Sequence, residues 1–262
     1  MIPKIIHYCW FGEAPKPKSV QKCISSWKKY CPDYEIIEWN ETNIDISMNR
    51  YTQEAYDAKA WGFVPDYLRL WIIYTYGGIY LDTDVQMIKS FHELLNQKAF
   101  AGFEAGDIDK GLFVALGLGF GAERGNKLIK EHMEVYEKIS FVNPDGTYNM
   151  LPSPHYTTNL LMHYGLNRHS NEIQDLSEIV VYPTQCFCPK RLDTGVTKIS
   201  KDTYSIHQFD ASWFDEDRQK IKQEKWKIER RHYWLHAPNR MLRKIMGADR
   251  YEKLKKLLKR GK

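Results

Sequence analysis

The sequence has no run long and apolar enough to cross a bilayer. Its longest nearly apolar stretch, residues 111–122, is 12 residues, well short of the roughly 20 that a spanning helix needs. Residues 1–4 lead directly into a strand-like run, so no export signal is expected and a cytoplasmic location is. There is no internal repeat and no low-complexity segment, and with 43% hydrophobic and 27% charged residues the composition is that of a folded globular protein. Cysteine is scarce and odd in number: Cys9, Cys23, Cys31, Cys186 and Cys188. Five thiols cannot all pair within one chain, so reduced, structural cysteines are expected. Cys186 and Cys188 have neither the second Cys pair nor the His pair that a zinc site needs.

A strong charge of one sign is also missing, since 38 Lys and Arg stand against 33 Asp and Glu for a net +5. That total hides an uneven distribution. Residues 216–262 hold 17 Lys and Arg against 6 Asp and Glu, a net of +11, and leave −6 for residues 1–215. The domain division expected from this change is 1–215, a catalytic domain, and 216–262, a basic amphipathic helical tail.

Along the chain, residues 4–10 read as a short apolar strand. Residues 19–30 read as a helix with Val20, Ile24 and Trp27 on one face, and residues 34–39 as a second strand. Strand, helix, strand in that order opens an α/β nucleotide-binding fold, in which ligands collect at the carboxyl ends of the strands. Trp10 and Asn40 would sit at those ends. Residues 52–59 suggest a short helix, and 66–76 one that is apolar almost all round, hence buried and stopped by Gly77-Gly78. Residues 79–81 form a brief strand leading into Asp82-Thr83-Asp84. Further strands are expected at 100–104, 112–120, 179–182 and 203–207, a helix at 126–139, and a long loop at 143–155.

Two carboxylates spaced Asp82-x-Asp84 on a strand-to-turn corner can offer oxygen ligands to a hard divalent cation. Two turn aspartates closing a strand would have the same spacing. Asp66 and Arg69, three apart on an apolar helix, share one face. They either pair with each other or meet a ligand, Arg69 at a phosphate or sugar oxygen and Asp66 orienting it.

Five segments occur together and in order: K-I-I-H-Y-C-W-F-G from Lys4, Y-E-I-I-E-W-N from Tyr34, F-V-P-D-Y-L-R-L from Phe63, G-G-I-Y-L-D-T-D-V from Gly77 and I-H-Q-F-D-A-S-W from Ile206. In this the chain, over about residues 3–214, resembles the sugar-transferring family named for its D-x-D motif. That family includes the yeast outer-chain mannosyltransferases, bacterial capsule-polysaccharide transferases and the catalytic domains of the large clostridial toxins.

The resemblance implies a GT-A fold, a Rossmann-like α/β domain with a mixed central sheet, and a nucleoside-diphosphate sugar donor bound with Mn²⁺ or Mg²⁺. It implies that Trp10 stacks on the base and that Asp66 and Arg69 hold the donor sugar and the region next to the diphosphate. Asp82 would contact ribose, sugar and metal-bound water, Asp84 would ligate the metal, and His207 would be a late metal ligand. Ser212 and Trp213 would close over the diphosphate. The implied reaction is a retaining hexosyl transfer to a saccharide acceptor in bacterial capsule or lipopolysaccharide synthesis. One departure is Pro65, where the family pattern has a small residue, commonly Ser; proline is compatible with a first helical turn.

Two other classes are weighed. A haloacid-dehalogenase-like phosphatase also places D-x-D after an apolar strand, but it usually has Thr or Val where this chain has Gln86. A carbohydrate-binding protein without transferase activity would keep the same site. His7 is expected to be a satisfied core histidine, while His155 and His163 flank the variable loop on a possible acceptor side. In the tail, Leu242, Ile245, Met246, Leu254, Leu257 and Leu258 follow helical spacing among basic residues, with Trp226, Tyr233 and Trp234 nearby. Such a segment either lies on an anionic membrane, where a lipid-linked acceptor would be met, or is a solvated tail, or packs its apolar stripe on the domain or on a second subunit. Nucleic acid is not an expected partner.

Overall fold

The computed structural model describes residues 1–210 and 216–235, with 238, 246, 247 and 250 as single positions. The chain divides into two compact units, Met1–Leu192 with Thr197–Trp213, and Asp193–Val196 with Phe214–Lys262.

In chain order the first unit runs β1 (Ile5–Cys9), α1 (Lys18–Tyr30), β2 (Glu35–Trp39), α2 (Arg50–Asp57), α3 (Pro65–Tyr76), β3 (Gly78–Tyr80) and β4 (Val85–Met87). It continues with β5 (Ala99–Phe103), β6 (Val114–Ala115), β7 (Phe120–Ala122), α4 (Lys127–Glu137) and α5 (Ser153–His163). The unit closes with β8 (Gln174–Asp175), β9 (Val180–Tyr182), α6 (Thr184–Phe187) and β10 (Ser205–His207). Eight strands form one mixed sheet in the order β2-β1-β3-β7-β5-β9-β8, with β6 beside β5, and β4 and β10 pair separately. Strands β2, β1 and β3 are mutually parallel, β7 is antiparallel to both β3 and β5, and β9 is parallel to β5. The carboxyl ends of β1, β2, β3, β5 and β9 therefore share one edge. This is the α/β class with a mixed central sheet that the sequence implies, and Trp10 and Asn40 follow β1 and β2 at that edge.

Local chemistry accounts for the elements nearest the edge. Strand β1 is buried along four of its five residues, as expected of a parallel strand covered on both faces. Helix α1 buries Val20, Cys23 and Trp27, whereas Ile24, expected on that face, is only half-buried. Helix α3 has Pro65 in its first turn, where the missing N–H has no helical partner in any case. Its end is set by Gly77, at φ +69°, whose N–H donates to the Ile73 carbonyl at 2.8 Å. Gly78 follows at φ +103°, and a Cβ there would lie 2.7 Å from the Ile5 carbonyl oxygen. Only glycine lets β3 approach β1 so closely.

The strand expected over residues 112–120 is not continuous. Val114–Ala115 pairs with β5, Leu116–Leu118 turns as a 3-10 segment, and β7 starts at Phe120. Gly119, at φ +121°, takes up the bend. All five cysteines are free and buried, as expected.

In the second unit, α7 (Glu216–Leu235) is helical. Arg230 Nε donates to the Thr194 carbonyl at 3.2 Å, and the Trp226 indole lies against Gly195. No helix among the described residues is long and apolar enough to cross a membrane.

Candidate active site

Strand β3 ends at Tyr80, and the chain turns through Asp82-Thr83-Asp84 at the carboxyl edge of the sheet. The Leu81 N–H donates to the His7 carbonyl at 3.0 Å and the Asp82 N–H to the Gly117 carbonyl at 3.1 Å, which anchors the corner to two neighbouring segments. Directly after it β4 pairs antiparallel with β10, placing His207 opposite Val85. That pairing brings the imidazole to Asp84. His207 Nε2 lies 3.1 Å from Asp84 Oδ1, and the Asp210 N–H donates to Asp84 Oδ2 at 2.9 Å.

Asp84 is 5% exposed. Burial works to raise its carboxyl, but His207 and the Asp210 N–H outweigh that and hold it below the usual carboxylate range. Burial also works against the charged His207 imidazole, yet Asp84, Asp82 and Glu104 together raise it. Single ligand atoms from Asp82, Asp84 and His207 all lie within 4.8 Å of one another, and among the described residues they form the one such cluster. Two carboxylate oxygens and an imidazole nitrogen suit a hard or borderline divalent cation, so the residues fit Mn²⁺ or Mg²⁺. His207 Nδ1 is buried without a hydrogen-bond partner among the described residues.

Asp66 and Arg69 meet each other and the corner as well. Arg69 Nη2 donates to Asp66 Oδ1 at 2.6 Å, and both side chains are about 5% exposed or less. Arg69 Nη1 reaches Asp82 Oδ1 at 3.6 Å, and its Nε donates to the Pro65 carbonyl at 3.2 Å. Burial pushes the Asp66 carboxyl up against the pull of Arg69, with Ser153 and Tyr51 also near it. The guanidinium stays charged because Asp82 and Asp66 offset its burial. The pair is thus both a buried ion pair and a fixed positive centre beside Asp82.

An open cleft runs from Trp10, Gly12 and Trp61 to Arg69, Asp82 and Asp84. Trp10 donates its indole N–H to the Ala14 carbonyl at 2.7 Å, with the Lys16 ammonium 5.8 Å from its ring. Trp61 stands edge-on to Tyr56 at 5.3 Å. The cleft therefore joins the aromatic expected at the base to the carboxylates expected at the cation.

Other expectations resolve simply. His7 is fully buried; the Trp39 indole N–H donates to its Nδ1 at 3.1 Å, so Nε2 carries the proton and donates to the Gly77 carbonyl at 2.9 Å. Burial lowers its pKa to about 4, and it is the satisfied core histidine the sequence indicates. His163 is exposed and bonds back to the Asn159 carbonyl of its own helix, whereas His155 lies against Phe113 at 4.3 Å. Ser212 and Trp213 lie outside the described residues.

Trp61, Gly117 and Ser153 belong to the site but carry no signal in the sequence. A Cβ on Gly117 would lie 1.9 Å from Asp82 Oδ2 and 3.2 Å from Arg69 Nη1, so this main chain is the floor on which Asp82 rests.

Comparison with known proteins bears on the same residues. Residues 17–101 match the family described as glycosyltransferase sugar-binding region containing DXD motif. Inositol phosphoceramide mannosyltransferase 3 of Schizosaccharomyces pombe is 31% identical over 111 residues, covering 38% of this chain. The chain spans 29% of that relative's length. Among solved structures, the PaToxG glycosyltransferase superposes with a TM-score of 0.49 at 18% identity, over 62% of this chain and 69% of its own. A glycosyltransferase involved in glycosylating the major capsid of PBCV-1 superposes with a TM-score of 0.47 at 14% identity, over 85% of this chain and all of its own. Residues 17–101, which include α3 and the Asp82-Thr83-Asp84 corner, are thus similar to the glycosyltransferase sugar-binding region that contains the DXD motif.

Proposed function

We propose that the protein transfers a hexose from a nucleoside-diphosphate sugar to a saccharide acceptor, with retention at the anomeric carbon. The observation that carries this reading is the meeting of Asp82, Asp84 and His207 at the end of a cleft that also holds Trp10 and Arg69. Asp84 and His207, with Asp82, would hold Mn²⁺ or Mg²⁺, the two carboxylates being ligands that suit either cation. Bound there, the cation supplies positive charge where the diphosphate departs.

The chain's own groups do the rest. Trp10 offers a flat ring to the base. Arg69, fixed by Asp66 and the Pro65 carbonyl, adds a second positive charge beside Asp82 without having to reorganise during the reaction. Asp66 and Asp82 accept hydrogen bonds from donor hydroxyls and hold the sugar in register with its leaving group. Within this arrangement no side chain is needed as a covalent nucleophile, and the departing phosphate oxygen takes the acceptor's proton.

Thermal unfolding in the presence of UDP-galactose, UDP-glucose, UDP-N-acetylglucosamine or GDP-mannose, each with and without Mn²⁺, tests this reading. One nucleotide sugar at about 100 times its Kd should add about 2.7 kcal/mol. For a chain of this size that is a rise of several degrees in Tm, and it should require the cation. No cation-dependent shift with any of the four would overturn the assignment.

The acceptor belongs, on this reading, to bacterial surface-polysaccharide synthesis, is lipid-linked, and is met at the cytoplasmic face of the membrane. Helix α7 supports that placement. Ile221, Ile228 and Leu235, seven residues apart, are 66%, 68% and 67% exposed, and Trp234 is beside them at 59%. With the surrounding Lys and Arg this forms an apolar stripe in a basic helix, a combination that suits an anionic bilayer surface. The whole chain should float with vesicles containing anionic phosphatidylglycerol and lose most of that binding when Ile221 and Ile228 are both changed to Ser. Equal flotation of the two proteins would remove the membrane assignment.

A further inference from the structure

We propose that Glu104, Phe113 and His155 form the subsite for one saccharide unit of the acceptor, on the flank of the carboxylate corner away from Trp10. The inference rests on the glycosyltransferase reading above and names where its second substrate sits.

The sheet fixes the sidedness. Strand β3, which delivers Asp82 and Asp84, has β1 with Trp10 on one side and β7 then β5 on the other. Strand β5 runs in the same direction as β3, so Glu104, its next residue, emerges at the same edge. Two strand spacings, roughly 10 Å, separate it from the corner, and the Val114–Leu118 segment runs between the two. The base-binding cleft occupies the β1 side, which leaves the β5 side to the acceptor.

Glu104 is only partly exposed. Its carboxylate has no hydrogen-bond or ion-pair partner among the described residues. Its charge nevertheless reaches His207, and burial pushes its carboxyl up. A partly desolvated carboxylate left unpaired is unfavourable on its own and accepts hydrogen bonds readily, and sugar hydroxyls are suitable donors.

The neighbouring groups complete a sugar-sized surface. The Glu104 N–H donates to the Phe113 carbonyl at 2.8 Å, which sets the two residues side by side, and the Arg168 guanidinium lies over the partly exposed Phe113 ring at 4.2 Å. The His155 ring centroid is 4.3 Å from that of Phe113, tilted by 45°, and its ring nitrogens have no partner among the described residues. His155 lies in the first turn of α5, which begins at Ser153, and Ser153 faces Asp66. The flank is thus continuous from the donor-sugar pair through His155 and Phe113 to Glu104. A carboxylate, an imidazole and a guanidinium gathered around Phe113 offer acceptors and donors for the hydroxyls of a hexose.

The test compares the whole protein with its Glu104→Gln and His155→Ala variants in Mn²⁺. Hydrolysis of the four nucleotide sugars named above is measured with transfer to the methyl glycosides of mannose, glucose and galactose at up to molar concentration. The wild type should hydrolyse one donor and transfer to at least one glycoside. In Glu104→Gln the ratio of transfer to hydrolysis should fall at least tenfold, through the acceptor KM, with the donor KM unchanged. His155→Ala should lower the same ratio by a smaller factor.

An unchanged ratio, or a rise in donor KM to match the loss, would overturn the subsite while leaving the glycosyltransferase reading intact. Donor hydrolysis by the wild type with no transfer to any of the three glycosides would likewise overturn a subsite for a single sugar unit. A wild type that hydrolyses none of the donors would remove the transferase reading, and the subsite with it.

Discussion

Replacing Asp84 with Asn should lower cation-dependent turnover by about 10³-fold or more while leaving the fold intact. The estimate comes from the several kcal/mol that a bound cation contributes where negative charge develops on a leaving group. Asp84 is the most enclosed of the three cluster residues, and its two oxygens are committed to His207 and to the Asp210 N–H. An asparagine oxygen can still accept from Asp210, so the local main chain has no reason to move. What is lost is the negative charge that attracts the cation when it is bound, or the His207 imidazolium in its absence. The measurement is donor turnover across a Mn²⁺ titration, with circular dichroism as the control for folding. Turnover at the wild-type level would sink the cation-site assignment.

The second large effect should come from a residue with no side chain. In Gly117→Ala the new methyl group would lie 1.9 Å from Asp82 Oδ2 and 2.8 Å from its Cγ, and no real contact is that short. Gly117 has no left-handed backbone that alanine would resist, since it is absent from the positive-φ glycines. The neighbour that must give way is the end of the Asp82 side chain, which is 30% exposed and can swing into solvent. Stability should therefore fall by only about 1 kcal/mol, as for an ordinary substitution. Asp82, though, would leave both the cation cluster and Arg69. Displacing a positioned group by about 1 Å can cost 10²-fold in rate, and losing a supporting contact costs about 10–100-fold in metal affinity. The variant should show a near-normal Tm without Mn²⁺, a weakened response to Mn²⁺, and turnover lower by about 100-fold. Normal Mn²⁺ affinity together with normal turnover would show that Asp82 is not held by this surface.

The contrast between these two positions indicates how far the sequence can be read. Asp66, Arg69, Asp82 and Asp84 stand within one short segment, where helix spacing and the strand-to-turn corner make their proximity legible. His207 is legible only through its resemblance to a late family motif, because nothing local ties it to Asp84. Gly117 lies in an apolar run whose pattern predicts one strand. In that run a 3-10 turn and a continuous strand have the same hydrophobicity, and only tertiary contact with Asp82 distinguishes them. Glu104 and Trp61 are invisible for the same reason: their roles depend on which strand or cleft wall lies beside them. Strands β4 and β8, of three and two residues, are too short for any periodicity to appear.

The pairing of β4 with β10 has a consequence in time as well as in space. Asp84 and Asp210, joined through a hydrogen bond, are 126 residues apart, so closing that contact is among the most non-local steps the chain must make. During synthesis the corner carboxylates leave the ribosome long before the histidine that completes their cluster. A chain interrupted before residue 205 would carry Asp82 and Asp84 and still lack His207. On the proposed cation assignment, metal binding would be a late event in the protein's maturation, and Mn²⁺ affinity would report whether the last strand has docked.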